Sequence, residues 1–156
     1  MNPKTLLPVI LAIILLKPFH SSGQAVNTQD SLALVDLYNS AGGPNWINHT
    51  SWLTTAPVWS WYGIYVDTNE ENRVRIIALS GNNVVGTVPS SLATIPFWSI
   101  NLQYNRLSGS IPAAFNNQSE SVFLDFFHNQ LGGIIPSFQN LAADQYPLPD
   151  KYSFQN

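Results

Sequence analysis

Leu79-Ser-Gly-Asn82-Asn-Val84-Val-Gly86-Thr-Val88-Pro89 is followed by Leu102-Gln-Tyr-Asn105-Arg-Leu107-Ser-Gly109-Ser-Ile111-Pro112 and then by Phe126-Phe-His-Asn129-Gln-Leu131-Gly-Gly133-Ile-Ile135-Pro136. The three asparagines are 23 and 24 residues apart. Upstream of each, apolar residues recur at two-residue spacing: Ile77 and Leu79, Ile100 and Leu102, Leu124 and Phe126. Alternation over so short a run is the mark of a strand with one face inward. A fixed period of this length is the mark of a solenoid, whose coils cannot bury their apolar faces singly and gain stability by stacking. The fold class expected is therefore an α/β repeat solenoid with a parallel sheet along one face.

Within each coil the residue types have physical roles. Asn82, Asn105 and Asn129 stand where the chain turns inward, and their amides can both donate to and accept from backbone groups left unpaired by the bend. Stacked copies form a ladder, and losing one buried partner in it costs ~1–3 kcal/mol. The glycine allows close approach or positive φ, and the proline fixes an extended path without needing an N–H.

The repeated L-x-L-x-x-N-x-L-x-G-x-I-P pattern resembles the leucine-rich repeat family, specifically the plant-type 24-residue subtype. The stretch from Asp30 to Trp46, followed by Trp52-Leu53 and Trp61-Tyr-Gly-Ile64, looks like the N-terminal cap of such arrays. The resemblance covers residues 28–141. It departs from the plant pattern in lacking the cap cysteines: Trp59 and Val66 stand where a C-x-W-x-G-x-x-C arrangement would place them. Cysteine-free caps look more like secreted bacterial members, so the kingdom stays open. The resemblance implies recognition of a protein, peptide or glycan partner and no catalysis.

The cap also reads without the family. Thr28 or Asp30 can cap a helix, Leu34, Leu37 and Tyr38 form a stripe at helical spacing, and Gly42-Gly43-Pro44 ends it. Four tryptophans follow (46, 52, 59 and 61). They read as a lid over the first coil, with a sugar-binding platform as the rival. Downstream, Phe138 and Leu141 continue the pattern, while Pro147 and Pro149 interrupt a fourth strand. The tail is either a crude cap or the relic of a longer array. The organisation expected is a signal peptide over 1–24, an N-terminal cap over 25–72, three repeats over 73–141 and a degenerate tail over 142–156.

The first segment has a basic Lys4, an apolar run from Leu6 to Leu16 and small residues at Ser21-Ser22-Gly23. That order is a secretory leader, and the run is too short to span a bilayer. A secreted or cell-surface location follows, with no stable membrane insertion after removal of the leader. Of 156 residues, 45% are hydrophobic and 10% charged, which excludes a disordered chain. Beyond the leader four basic residues (Arg73, Arg75, Arg106, Lys151) face nine acids, a poor balance for nucleic acid. There is no cysteine, and only His49 and His128 follow the leader, so thiol catalysis and a His-rich zinc site are excluded. No catalytic, metal or cofactor site is expected. The acidic stretch 67–72 reads as a solvated hairpin turn between Ile64–Val66 and Val74–Ile77, not a calcium loop. Asn48-His-Thr50 and Asn117-Gln-Ser119 fit the N-glycosylation sequon.

A ligand would sit on the concave sheet, met by residues between the inward pairs. The first coil offers Arg75, Ile76, Ala78, Ser80 and Gly81, the second Trp98, Ser99, Asn101, Gln103 and Tyr104, the third Val122, Phe123, Asp125, Phe127 and His128. Trp98, Tyr104, Phe123 and Phe127 are the candidate anchors, with Asn101, Gln103, Asp125 and His128 as polar partners. For Phe123 and Phe127, packing over the C-terminal end is an equal alternative. Function is expected to be that of a secreted binding module. The alternatives are a structural surface or matrix component and a piece of a longer receptor ectodomain.

Overall fold

The computed structural model describes residues 25–118, 122–133 and 136. Helix α1 (Thr28–Ser40) precedes strands β1 (Ile64–Asp67), β2 (Arg73–Ala78), β3 (Val85–Gly86), β4 (Ser99–Asn101), β5 (Arg106–Gly109), β6 (Phe123–Asp125) and β7 (Gln130–Leu131). Two sheets result. One runs β1-β2-β4-β6, with β1 antiparallel to β2 and the others parallel; the second runs β3-β5-β7, all parallel. The solenoid expected from the period is the fold observed. The expected leader 1–24, Phe138, Leu141, Pro147, Pro149 and the expected degenerate tail 142–156 lie outside the described residues.

Register explains why the period works. Ile77, Ile100 and Leu124 pair in one row across the first sheet. Ile77, Leu79, Ile100 and Leu102 are fully buried, Phe126 nearly so, and Leu124 partly. After each inward turn Val84 and Leu107 enter the same core, then Val88 and Ile111. Pro89 and Pro112 then open short 3-10 turns over Ser90–Thr94 and Ala113–Asn117. Leu92 and Phe115 from these turns close the core.

The asparagine ladder is present in full. Asn105 Nδ2 donates to Leu79 O (2.8 Å) and Leu102 O (2.9 Å), while its Oδ1 accepts from Asn82 N (2.9 Å) and Val84 N (3.0 Å). Asn129 repeats the arrangement one coil on, donating to Leu102 O and Phe126 O and accepting from Leu107 N. Asn82 makes the equivalent bonds to the cap: its side chain donates to Asn48 O (2.9 Å) and accepts from Asn48 N (2.7 Å). Asn48 thus occupies the rung before the first coil.

Asn27, not Thr28 or Asp30, caps α1, accepting from Gln29 N at 2.9 Å. Asp30 has a different task. It is fully buried and accepts from Arg73 Nε (2.9 Å), Arg73 Nη2 (2.8 Å) and Val74 N (2.9 Å). This fork ties α1 to β2, and the Asp30 hydrogen bond, more than its charge, raises the Arg73 pKa above its ordinary value. The other end of α1 docks through backbone alone, Val85 N donating to Ala41 O and Thr87 N to Ser40 O. Gly86 makes that approach possible: a Cβ there would fall 2.1 Å from Ser40 O, at a φ of 137°.

Leu34, Leu37 and Tyr38 are buried as the stripe requires. Trp46, Trp52 and Trp61 are buried with them, each indole N–H donating to a backbone carbonyl (Ala41, Tyr62 and Ala56). Trp59 does not join them. It lies on a short 3-10 turn, Val58–Ser60, and is 46% exposed, whereas Val66 is in the core. The β1–β2 turn also departs from expectation, because Asp67 and Asn72 are buried rather than solvated. Asp67 Oδ1 is spent on Asn69 N and Nδ2.

Candidate binding surface

The outward residues of the first sheet form two rows. Tyr65, Ile76, Ser99 and Phe123 pair in one, and Ala78, Asn101 and Asp125 in the next. Tyr65 (50% exposed) and Phe123 (44%) give the first row an aromatic side chain at either end. Tyr65 was not among the sequence candidates, because it belongs to the cap hairpin rather than to a repeat. The signal was nonetheless there: Ile64-Tyr65-Val66 alternates apolar residues around an outward ring, and Ile64 and Val66 are buried.

Trp98 reaches this face by another route. It precedes β4 and shares the parity of Ile100, so strict alternation would send it inward. Its counterparts Arg75 and Val122 do go inward, at 3% and 2% exposure, which corrects their assignment to the concave face. Trp98 stays 41% exposed, its N–H donating to Arg75 O. Its ring lies 5.2 Å from the Arg75 guanidinium carbon and 6.4 Å from the Tyr65 ring. Arg75 pairs with Glu70, which anchors the cation beneath the ring.

A second aromatic group lies just past the strand ends. β4 stops at Asn101 and β6 at Asp125, so Gln103, Tyr104, Phe127 and His128 lie on the turns beyond the sheet rather than on it. Tyr104 is 56% exposed and stacks on His128 with ring centroids 4.5 Å apart, and Phe127 packs edge-on to Tyr104 at 6.1 Å. Tyr104 and His128 take left-handed backbone, φ 55° and 52°; Gly81 holds the same position in the first coil at φ 61°. Left-handed backbone suits glycine and costs other L-residues roughly 1–2 kcal/mol. Two ring-bearing residues are therefore held where the backbone favours none.

The polar candidates are partly committed to local structure. Asn101 Oδ1 accepts from Gln103 N (3.2 Å) and Asp125 Oδ1 from Phe127 N (3.1 Å), equivalent bonds at the start of the turns carrying Tyr104 and His128. Each keeps further acceptor capacity toward solvent. The surface is thus two aromatic groups, Tyr65–Trp98–Phe123 and Tyr104–Phe127–His128, all exposed but the half-buried Phe127, separated by an amide and a carboxylate. Such an arrangement can grip an extended chain by ring contacts and hydrogen bonds; it brings no nucleophile and base together. Among the described residues no group of three His, Asp or Glu side chains is placed to hold a metal ion.

Comparison with known proteins agrees with the repeat fold. The family model described as Leucine Rich Repeat matches residues 98–118 and 122–141. Polygalacturonase inhibitor 1 of Phaseolus vulgaris is 32% identical over 93 residues, a match covering 56% of this chain and 27% of the inhibitor. Receptor-like protein 3 of Arabidopsis thaliana is 30% identical over 90 residues, 57% of this chain and 12% of that protein. Among solved structures, the BIR2 ectodomain from Arabidopsis thaliana superposes with a TM-score of 0.59 at 28% identity, covering 72% of this chain and 60% of that one. The Arabidopsis HAESA receptor-kinase ectodomain, in complex with an N-terminally extended IDA peptide hormone ligand, gives 0.56 at 27% identity, over 69% of this chain and 18% of that one. The chain therefore spans about a quarter of the curated inhibitor.

Proposed function

We propose that this leucine-rich-repeat protein of the plant type is an extracellular binding module that holds a protein or peptide partner across its concave aromatic face. The observation that carries the reading is the exposure of Tyr65 and Phe123 in the first outward row, of Trp98 just before β4 and of Tyr104 on the turn beyond the sheet. A short array could have kept this face polar. Aromatic side chains of 41–56% exposure gain most by desolvation against a partner, and such anchors dominate interface energetics. Trp98, Asn101, Gln103, Tyr104, Phe123, Asp125, Phe127 and His128 are the proposed contact set, extended by Tyr65. The protein acts by binding rather than by catalysis, and residues 25–72 serve as the cap of an array over 73–141.

One fact supports the chemistry of the partner: the HAESA structure, 27% identical over 69% of this chain, holds a peptide hormone. Export follows from the charged start and apolar run of residues 1–24, and N-terminal sequencing of the exported product should find a start at or just after Gln24; an intact Met1 would contradict it.

The test is capture from extracellular fluid with the purified chain in four forms: wild type, Trp98→Ala, Tyr104→Ala and, as control, Ser110→Ala, which is exposed on the turn after β5. A partner retained by wild type and Ser110→Ala and lost at least tenfold by both aromatic variants is the expected result. Equal capture by all four would remove the concave face from the interface.

A further inference from the structure

We infer that Asn48 is an N-glycosylation site, and that the cap carries its glycan on the amide nitrogen that the asparagine ladder leaves unused. This rests on the export part of the proposed function, because the modification needs passage through the secretory pathway.

Four asparagines line up at the inward turns, and they differ in how their side chains are spent. Asn105 and Asn129 commit Nδ2 to carbonyls of two successive coils, and Asn82 commits its Nδ2 to Asn48 O. A sugar on any of these nitrogens would break the ladder. Asn48 contributes only its backbone to it, through its N–H and carbonyl. Its Oδ1 accepts from Thr50 N at 3.0 Å, and its Nδ2 donates no hydrogen bond among the described residues. Only Asn48 of the four begins an N-x-S/T sequence, Asn48-His49-Thr50.

The local fold is compatible with the product. The bond from Thr50 N closes a turn over the sequon and holds the half-buried Asn48 side chain by its oxygen rather than its nitrogen. His49 and Thr50 are exposed. Attachment forms a bond between Asn48 Nδ2 and the anomeric carbon of a lipid-linked pyrophosphoryl oligosaccharide. The bond from that carbon to the pyrophosphate oxygen breaks, the pyrophosphate leaves with the electron pair, and the amide gives up one proton. One N–H remains, and Oδ1 keeps its bond to Thr50 N. Asn48 also borders an open groove of about 510 Å³ lined by Tyr38, Ile47 and Trp52 among others. Ile47 is 76% exposed beside it, so the first sugar would shield an apolar side chain that the fold leaves uncovered.

The experiment is peptide mass mapping of the full chain expressed in plant cells, with Thr50→Ala and Thr50→Ser variants. Each is made with its own N-terminus and, in parallel, behind a proven secretory leader. In the leader-fused set, the peptide containing Asn48 should carry a glycan in most wild-type and Thr50→Ser molecules and in no Thr50→Ala molecule. Thr50 bonds to the fold through its backbone, which alanine retains. An unmodified Asn48 peptide in the leader-fused wild type would overturn the proposal, as would a glycan persisting in Thr50→Ala. A modified leader-fused chain beside an unmodified native one would instead keep the site and overturn the export reading.

Discussion

The cap and the concave face are built from the same residue types and use them in opposite ways. In the cap, Tyr38, Trp46, Trp52 and Trp61 touch in series, with centroid distances of 4.8–5.8 Å, and the three indole N–H groups each find a carbonyl. On the face, Tyr65, Trp98, Tyr104 and Phe123 are exposed. The difference teaches what each end of a short array requires. The first coil has an open apolar end that needs covering, and large rings with satisfied polar tips cover it at little entropic cost. The face has no such need, yet its rings are exposed, and Tyr104 and His128 stand on left-handed backbone that disfavours them. The proposed function gives these exposed rings an intermolecular purpose.

Substitutions can break or sharpen this contrast. The largest effect is expected in the cap: Trp52→Ala removes a ring in contact with Tyr38, Trp46 and Trp61 and should lower stability by ~3–5 kcal/mol in urea unfolding. A loss below about 1 kcal/mol would mean the lid does not hold the array. Next comes the ladder that joins the two regions. Asn105→Ala leaves at least two buried backbone N–H groups without partners and should cost ~1–3 kcal/mol. Asn101→Ala loses a single bond to Gln103 N and should cost less; equal urea midpoints would show the ladder assignment to be wrong. On the face the effects shrink and one changes sign. Tyr104→Gly should be more stable than Tyr104→Ala by about 1 kcal/mol, because the φ of 55° suits glycine. Trp98→Ala loses only its contacts with Arg75 and Tyr65, under about 1 kcal/mol.

What was legible in the sequence is what repeats. The asparagine spacing and the inward pairs needed only a period and an alternation, and both survive in the register of β2, β4 and β6. What was missed depends on contacts far apart or on where a strand starts. Asp30 meets Arg73 across 43 residues, and a buried acid that looks like a cap residue gives no sign of that partner. Arg75 and Val122 are buried while Trp98 is exposed at the same coil position: Trp98 and Val122 precede their strands, whereas Arg75 lies within β2 and pairs with Glu70. The second sheet has strands of only two to four residues, too short for a periodic signal. In the candidate surface, Tyr104 and His128 were identifiable as outward, but their left-handed backbone and their mutual stacking were not. Both belong to turns that the apolar alternation of the strands does not describe.

The central claim is that the rings of the face serve a partner and those of the cap serve the fold. A single paired measurement on Trp98→Ala/Tyr104→Ala tests it: the urea midpoint, and the dissociation constant for the partner recovered by wild type. The expected result is a midpoint close to wild type with binding weakened at least a hundredfold, since two anchors of ~2 kcal/mol or more are lost. Unchanged binding, or a midpoint as low as that of Trp52→Ala, would contradict it.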